Sequence, residues 1–486
     1  MQDLKSIKKL FTIPKEVVND ENFAEAMTQA IALELATIPT YLSTYYSINR
    51  SPGEDDIYNK IVAALPKDVE NVKATAEELT VDVLVYANKT AALIMSVVIE
   101  EMLHLSLSSN VNQAIIGPPP LIDIASGLSF PTQLDGHQPE FPINLGKLSM
   151  QQLKTFLQIE SPNVFKVGKK ETLRVIKYTT IGEFYDMIID YIENKYGGSY
   201  DIDRPQLLPD QPFYSQNSIN TVYYDRDHKP HFTSEEDSKG LLGVVNSATA
   251  VDALNEIIEQ GEGHQGGTQL EFDENGMPVP LPVVDGEVIF TPEDYDDPEK
   301  KELSHFAKFM EAYSLGGHYE EKFANHGLDF FDLFVYNQAD NAKVADYTDN
   351  EVLKLIAELG NAMFTYIILM VETCYHSDKS TQFNVFMYGI HKSMIWLLSE
   401  FGNGINKESY TKEGVLYQGS LGFEFYDFSL DTVQSPKEQM VTMATKLGKL
   451  SSTWEWLITD TTYLEALPDV GLDYSVKANE PLIPKQ

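Results

Sequence analysis

Hydrophobic residues recur every three to four positions through long parts of this chain, which is the spacing of one face of an α-helix. The two clearest stretches are residues 21–48, which end near the Ser51-Pro52-Gly53 turn, and residues 69–116, which form a very long predicted helix. The same spacing predicts further helices over residues 150–160, 181–195, 245–262, 297–315, 350–376, 383–402 and 436–459. We therefore expect a mostly α fold.

Segments rich in proline, glycine and charged residues separate the predicted helices. Gly117 and the prolines at 118–120 end the second helix, because proline disrupts a helix interior. We expect a bundle within residues 1–320, with inserted segments at 117–245 and 263–296 and a hairpin around Asp285-Gly286. Residues 321–486 are predicted to form a C-terminal helical region that packs on this bundle.

The composition narrows the class of protein. The 486 residues are 43% hydrophobic and 22% charged, as in soluble globular proteins, and no uninterrupted apolar run is long enough to span a bilayer. The net charge of −37 argues against a nucleic-acid partner, because phosphate binding needs basic patches. Cys374 is the single cysteine, and the N-terminal residues lack the apolar core of a secretory signal. We expect a cytoplasmic protein with no membrane partner; a homo-oligomer is compatible with the sequence.

Two Glu-x-x-His motifs fall in separate predicted helices, at Glu101 and His104 and again at Glu302 and His305. Residues three apart on a helix point to one face, so the two side chains of each pair can bind one metal ion together. Bundles that hold two metal ions use two such pairs, with one additional glutamate from each of two other helices. Oxygen and imidazole ligands suit iron or manganese.

Single glutamates on apolar faces supply the other half of this ligand set. Glu34 lies within a strongly apolar helix, where an ionised carboxylate is costly unless it is paired or bound to metal. On the third bundle helix, Glu262 continues the apolar stripe, and Glu259, on a face with Glu256 that looks solvated, is the reserve candidate. We expect Glu100, beside Glu101, to be a neighbour of the ligands or to face solvent. The predicted ligands are Glu34, Glu101, His104, Glu262, Glu302 and His305, around two iron ions or two manganese ions.

The same segments resemble a known family, the ferritin-like domains related to iminophenyl-pyruvate dimer synthase of violacein-type pigment biosynthesis. The resemblance lies in AIALELATIPTYLSTYYSI, VVIEEMLHLSLSSNVNQAIIGPPP, TIGEFYDMIIDYI, IIEQGEG and ELSHFAKFMEAY, which together span about residues 22 to 315. It implies a ferritin-like four-helix bundle with a metal centre at the six residues named above. It also implies oxidative chemistry on a small metabolite, although this chain is much shorter than the pigment enzyme.

These observations favour a non-haem di-iron or di-manganese oxidase or oxygenase that uses O₂ and a small amino-acid-derived or aromatic substrate. The alternative is a protein that handles iron or peroxide without an organic substrate. A third hypothesis is an interaction protein that keeps the fold without metal, which the cost of buried carboxylates argues against. The long segments beyond a minimal bundle favour the first of these.

Other side chains are candidates for chemistry outside this set. Glu372 and His376 follow an apolar run, and His391 lies in the next predicted helix, so a second metal site is conceivable. We expect instead a partly buried histidine that neighbouring acids satisfy. The tyrosines near Glu34, among them Tyr41, are expected to serve mainly as core or pocket residues.

Overall fold

The computed structural model describes residues 18–50, 54–65, 71–133, 141–161, 180–207, 241–262, 278–290, 295–297, 302–390, 392–459 and 464–477. Its α-helices are α1 (Phe23–Ser47), α2 (Glu54–Ala64), α3 (Val72–Ile115), α4 (Leu121–Gly127), α5 (Met150–Ile159), α6 (Ile181–Asn194), α7 (Ser247–Glu262), α8 (His305–Ala324), α9 (Glu351–Cys374), α10 (Lys379–Val385), α11 (Leu398–Ile405), α12 (Pro436–Leu450) and α13 (Trp456–Thr459). Antiparallel pairs of short strands are β1 (Val283–Val284) with β2 (Glu287–Val288), β3 (Tyr295–Asp297) with β4 (Glu302–Leu303), β5 (Ser409–Lys412) with β6 (Val415–Gln418), and β7 (Asp469–Val470) with β8 (Val476–Lys477).

Helices α1, α3, α7 and α8 form the predicted bundle. The α3 helix packs along α1 and also contacts α7 and α8, and its 44 residues give it a length of roughly 66 Å. Almost every residue of α1 is buried, including Pro39. A helix buried on all sides lies in the centre of a protein, which explains the nearly continuous apolar sequence of α1. The helices predicted over residues 21–48 and 69–116 are confirmed.

Gly117 explains why α3 ends where the sequence predicts. Its φ of +148° lies in a region that favours glycine. The backbone N–H groups of Ile116 and Gly117 both donate to the carbonyl of Asn112, and the Asn112 side-chain amide donates to the carbonyl of Gly117. The end of the helix is therefore satisfied locally, before the prolines that could not continue it.

Helices α5 and α6 flank the bundle. The α5 helix packs against α8, and α6 packs against α7. Each begins at a hydroxyl cap, because Ser149 accepts from the backbone N–H of Gln152 and Thr180 accepts from that of Glu183. These helices and α7 confirm the predictions over residues 150–160, 181–195 and 245–262.

The helix predicted over residues 297–315 begins eight residues later than expected. Strand β4, which pairs with β3, occupies Glu302–Leu303, and α8 starts at His305 and continues to Ala324. Ser304 caps α8 through its hydroxyl, which accepts from the backbone N–H of Ala307. The acidic, proline-containing sequence before Ser304 favours extended backbone, whereas an N-cap serine marks a helix start. The hairpin predicted at Asp285-Gly286 is confirmed: both residues have positive φ, 53° and 81°, as a tight two-residue hairpin turn requires.

The C-terminal region is helical, as predicted, and α9 lies at its centre. The α9 helix packs against α4, α11 and α12. The helix predicted over residues 383–402 is interrupted by π-helical turns at Phe386–Ile390 and Ser393–Leu397, and α12 ends at Leu450 rather than 459. Buried apolar residues of this region and of the bundle form one core cluster. The division at residue 320 falls within α8 and stays a prediction.

Within the described part of the chain, two helices, α3 and α9, are long and apolar enough to cross a membrane. Their most apolar windows are 89% and 83% buried within the protein, which is the behaviour of core helices. The mostly α prediction is confirmed.

Candidate metal centre

Four buried residues from three bundle helices meet inside the bundle. Glu34 comes from α1, Glu101 and His104 come from α3, and His305 is the first residue of α8. Each of these side chains is at most 2% exposed. Glu101, His104 and His305 each offer one ligand atom, and the three atoms lie within 4.8 Å of one another, so this group could hold a metal ion.

Glu34 and His104 form one side of the centre. Nδ1 of His104 lies 3.6 Å from Oε2 of Glu34, whose other oxygen accepts a hydrogen bond from the Tyr185 hydroxyl of α6. Nε2 of His104 lies 3.0 Å from Oε1 of Gln260 on α7. The Gln260 amide nitrogen donates to Glu256, so its oxygen accepts the proton of Nε2. The Nδ1 lone pair of His104 is thereby left facing the carboxylates, as a metal ligand requires.

Glu160 and His305 form the opposite side, and Glu101 lies between the two. Nδ1 of His305 is 3.0 Å from Oε1 of Glu101 and 3.6 Å from Oε2 of Glu160. The other oxygen of Glu160 accepts a hydrogen bond from the buried hydroxyl of Tyr41. Oε2 of Glu101 accepts from the hydroxyl of Thr37, at 2.7 Å. Every carboxylate is therefore held by a hydroxyl donor on one oxygen.

Glu100 lies behind His305. Its Oε2 is 2.9 Å from Nε2 of His305 and accepts a hydrogen bond from Nζ of Lys308 at 2.5 Å. Glu100 is only 2% exposed, so the expectation of a neighbour of the ligands holds and that of a solvent-facing residue does not. Burial would raise the pKa of Glu100, but Lys308 and His305 outweigh it and lower the pKa to about 2. Glu100 and Lys308 are a buried ion pair.

The remaining carboxylates lack such compensation. Burial raises the pKa of Glu34 to about 7, although the Tyr185 hydrogen bond opposes the shift. Burial also raises the pKa values of Glu101 and Glu160. For His305, contacts with Glu100, Glu101 and Glu160 outweigh burial and hold the pKa well above its usual value. A site that raises the pKa of three carboxylates is one that favours added positive charge.

The donor set fits a metal ion. Neither ring nitrogen of His305 makes a hydrogen bond of good geometry, although the residue is fully buried and carboxylate oxygens surround it. A buried imidazole that carboxylates surround without a well-aligned hydrogen bond is placed to bind an ion that they share. Three carboxylates, those of Glu34, Glu101 and Glu160, have only the two imidazoles as ion-pair partners in the described part of the chain. A bound cation would neutralise this excess and satisfy both histidines.

The family comparison agrees with this geometry. The model of the family described as Ferritin-like matches residues 27–314, which include most of α1, all of α3 and α7, and the N-terminal half of α8. The chain belongs to the Ferritin-like family. A ferritin-like protein from Caulobacter vibrioides, solved at 1.95 Å resolution, is similar at 17% identity, with 79% of this chain and 97% of that chain covered and a TM-score of 0.36. A comparison with curated proteins finds no match.

In this Ferritin-like chain the structure brings four of the six predicted ligands together: Glu34, Glu101, His104 and His305. Glu262 is the last residue of α7, and its side chain falls outside the described residues. Glu302 lies in β4, so it does not share a helix with His305, and its side chain is also outside the described residues. Both stay predictions as ligands. Glu259 is exposed, as its face suggested, whereas Glu256 is buried against Gln260, contrary to expectation.

The sequence reasoning missed Glu160 and the role of Gln260. Glu160 follows the apolar end of α5, and the only sequence signal was a carboxylate directly after LQI, in a segment assigned to an insertion. Of the C-terminal candidates, Glu372 accepts from the Tyr474 hydroxyl and from the backbone N–H of Ile122. His376 stacks on Tyr474 with ring centroids 4.0 Å apart and pairs with no acid among the described residues, contrary to expectation. His391 lies outside the described residues.

Proposed function

We propose that this protein is a non-haem di-iron or di-manganese oxidase or oxygenase that acts on a small aromatic or amino-acid-derived metabolite. The observation that carries the proposal is the pair of Glu–His units, Glu34 with His104 and Glu160 with His305, on either side of Glu101. One unit on each side of a shared carboxylate supports two ions rather than one. Nitrogen and carboxylate donors without a thiolate suit iron or manganese.

The protein's share of the chemistry is to hold the donors and keep water out. Two ferrous ions held at these residues would supply the chemistry that activates O₂. An oxidase transfers two electrons and two protons from the substrate to O₂ and releases H₂O₂. An oxygenase places one oxygen atom in the substrate and reduces the other to water with two electrons from an added reductant and two protons from solvent. The buried hydroxyls of Tyr41, Tyr185 and Thr37 fix one oxygen of each carboxylate and leave the other directed at the centre.

An apolar cavity lies beside the ligand-bearing helices. Its volume is about 50 Å³, which gives room for a small apolar group of a substrate. Leu35 and Ile38 of α1 and Met102 and Leu105 of α3 contribute to its wall, one helix face away from the ligands on the same two helices, and side chains of α9 and the π-helical turns complete it. The hydroxyl of Ser106, a polar group in this wall, donates to its own helix. Such a lining favours an aromatic or aliphatic body over a charged one.

The alternative, iron or peroxide handling without an organic substrate, would use the same metal centre. It would have no need for an apolar cavity beside α1 and α3 or for the long additions to the bundle. Both proposals predict that the ferrous protein consumes O₂, so oxygen uptake alone does not separate them.

The first experiment is an anaerobic titration of the purified chain with ferrous iron. We expect saturation close to two ions per chain. The matched control is His318→Ala, because His318 is exposed on the same helix as His305. Saturation at zero or one ion would overturn the di-metal proposal.

The second experiment separates an oxidase or oxygenase from an iron-handling protein. In one assay, ferrous iron is added to the protein repeatedly in air, and the iron retained per chain is measured. In a parallel assay, the protein is incubated with O₂, a reductant and a library of aromatic and amino-acid metabolites, and the products are analysed by mass spectrometry. We expect iron to stop near two ions per chain and a metabolite to be oxidised. Hundreds of irons retained with no metabolite changed would support the iron-handling alternative.

A further inference from the structure

We propose that Glu160 is a metal ligand. Together with His305 and Glu101 it forms the second of the two metal subsites. It takes the ligand position that the Glu-x-x-His spacing predicts for Glu302. The proposal rests on the proposed di-metal centre. It assigns a ligand from α5, a helix outside the four bundle helices α1, α3, α7 and α8.

The packing of α5 against α8 positions the Glu160 side chain at the centre. The helix lies against α8, and Glu160 is its C-terminal cap, with the backbone N–H donating to the carbonyl of Phe156. The side chain is 3% exposed, and its Oε2 lies 3.6 Å from Nδ1 of His305. Two groups that face one metal ion lie at about this separation when each is roughly 2 Å from the ion.

The position of Glu160 is unfavourable for a carboxylate without a cation. The C-terminal end of a helix carries partial negative charge, which repels a carboxylate. Burial adds the cost of removing that charge from water. The Tyr41 hydroxyl satisfies one oxygen without supplying charge. His305 is the facing group, and its ring nitrogens make no hydrogen bond of good geometry, so an ion between the ring and Glu160 would bind both.

The two sides of the centre have matching parts. On one side a glutamate, a histidine and a tyrosine hydroxyl come together as Glu34, His104 and Tyr185. On the other the same three types come together as Glu160, His305 and Tyr41. The carboxylate–imidazole separation is 3.6 Å on both sides. If Glu34 is a ligand of one ion, the equivalent position of Glu160 makes it a ligand of the other.

The backbone at Glu302 weakens the competing assignment. The Glu-x-x-His pair binds one ion because a helix places residues three apart on one face. Helix α8 begins at His305, and Glu302 precedes its cap residue Ser304, within strand β4. Glu302 and His305 therefore do not lie on one face of a helix, whereas Glu101 and His104 are three residues apart within α3 and do.

Anaerobic cobalt(II) titration of four chains tests the assignment by visible absorption and by metal content after desalting. The chains are wild type, Glu160→Gln, Glu302→Gln and, as a matched control, the exposed Glu259→Gln. We expect two ions in the wild type, Glu302→Gln and Glu259→Gln chains. In Glu160→Gln we expect one ion to bind as before and the other to bind more than about 100-fold more weakly, because a direct ligand is lost. Two ions with wild-type affinities in Glu160→Gln, or loss of one ion in Glu302→Gln, would overturn the proposal.

Two further variants separate ligation from packing. Tyr41→Phe removes the hydrogen bond that orients Glu160 but leaves the carboxylate, and we expect it to bind two ions, the second more weakly than in wild type but far more tightly than in Glu160→Gln. Loss of an ion in Tyr41→Phe as complete as in Glu160→Gln would show that packing, not ligation, explains the effect. If Glu160→Gln does not fold, judged by circular dichroism, Glu160→Asp replaces it, and unchanged affinity for both ions there counts against the proposal. A wild-type chain that binds no ion at all overturns the proposed function itself, which is a different result from two ions that ignore Glu160.

Discussion

The imidazole rings of His104 and His305 stack in the bundle interior, with centroids 5.1 Å apart and planes inclined by 26°, although the residues are far apart in sequence. Each ring turns one nitrogen toward a carboxylate of the centre and the other toward a group behind it, Gln260 for His104 and Glu100 for His305. Groups behind a histidine ligand fix the orientation of its ring and tune its basicity. The site therefore contains both the side chains that would bind a metal ion and, behind each histidine, a group that orients its ring.

Replacing either histidine with alanine should lower the metal content sharply. The helical circular dichroism should survive, because the bundle core around the site is mostly apolar and a shortened side chain leaves it in place. The measurement is metal content per chain after anaerobic loading with ferrous iron, with His318→Ala as the control. Full occupancy in the His305→Ala chain would show that α8 supplies no ligand at this position.

Gln260→Leu should weaken metal binding without changing the number of ions at saturation. Gln260 accepts from Nε2 of His104 and so keeps Nδ1 free for the metal. Loss of such an orienting partner typically lowers metal affinity by about 10- to 100-fold. Competition with a coloured chelator gives the affinity, and Glu259→Gln, one residue away and exposed, gives the baseline. Equal affinities in the two variants would contradict the orienting role.

The sequence alone predicts the bounds of a helix well where hydrophobic periodicity and a helix-ending signal agree. Residues 69–116 carry long helical periodicity and end at Gly117, and α3 follows this prediction closely. The predicted ligands Glu101 and His104 lie close together for the same reason, since both are in that helix, three residues apart. At Glu302 the helical spacing does not apply, because the cap at Ser304 starts the helix after this residue, and Glu302 stays a prediction as a ligand.

Glu160 shows what periodicity alone does not provide. A carboxylate at the end of a short helix has no repeating pattern around it, and its burial depends on how α5 packs against α8. That contact joins segments about 150 residues apart in sequence. Glu256 illustrates the same limit, because its apparently polar face is covered by the bundle and its partner Gln260. Burial of polar residues by distant elements is decided by tertiary packing.

Lys308→Met should destabilise the protein, because it leaves the Glu100 carboxylate buried without its lysine. Removing one partner of a buried ion pair costs about 3–5 kcal/mol. The double variant Lys308→Met/Glu100→Gln removes both charges and should recover most of this loss. Urea denaturation of the two single variants and the double variant gives the coupling free energy. Losses that simply add would show that the contact between Nζ and Oε2 contributes little.

Gly402→Ala should destabilise the contact between the C-terminal region and the bundle. A β-carbon at residue 402, on α11, would lie 2.5 Å from the ring of Tyr46 on α1. Because that ring is buried and rigid, the overlap should cost about 1–3 kcal/mol. Gly197→Ala is the matched control, since its added β-carbon meets nothing within 4 Å. Thermal unfolding of both variants measures the difference, and equal midpoints would argue against this packing.

The raised pKa of Glu34 predicts a pH-dependent stability that Glu34→Gln should remove. In the chelator-treated protein, burial raises the pKa of this carboxyl from 4.5 to about 7. Between these values the folded chain holds a proton that the unfolded chain has released, so the free energy of unfolding falls as pH rises through the window. The loss amounts to about 3 kcal/mol by pH 7 at 1.36 kcal/mol per pKa unit.

Glutamine keeps the size of the side chain but has no proton to release. The free energy of unfolding of Glu34→Gln, minus that of wild type, should therefore increase by about 3 kcal/mol between pH 4.5 and pH 8 in chelator. Urea denaturation at several pH values measures this difference, and Glu25→Gln, exposed at the start of the same helix, provides the control. Adding cobalt(II) at pH 7.5 should stabilise wild type more than Glu34→Gln, because deprotonated Glu34 binds the ion and the glutamine does not replace this carboxylate. A difference that does not vary with pH would mean that Glu34 is not buried among the carboxylates of the centre.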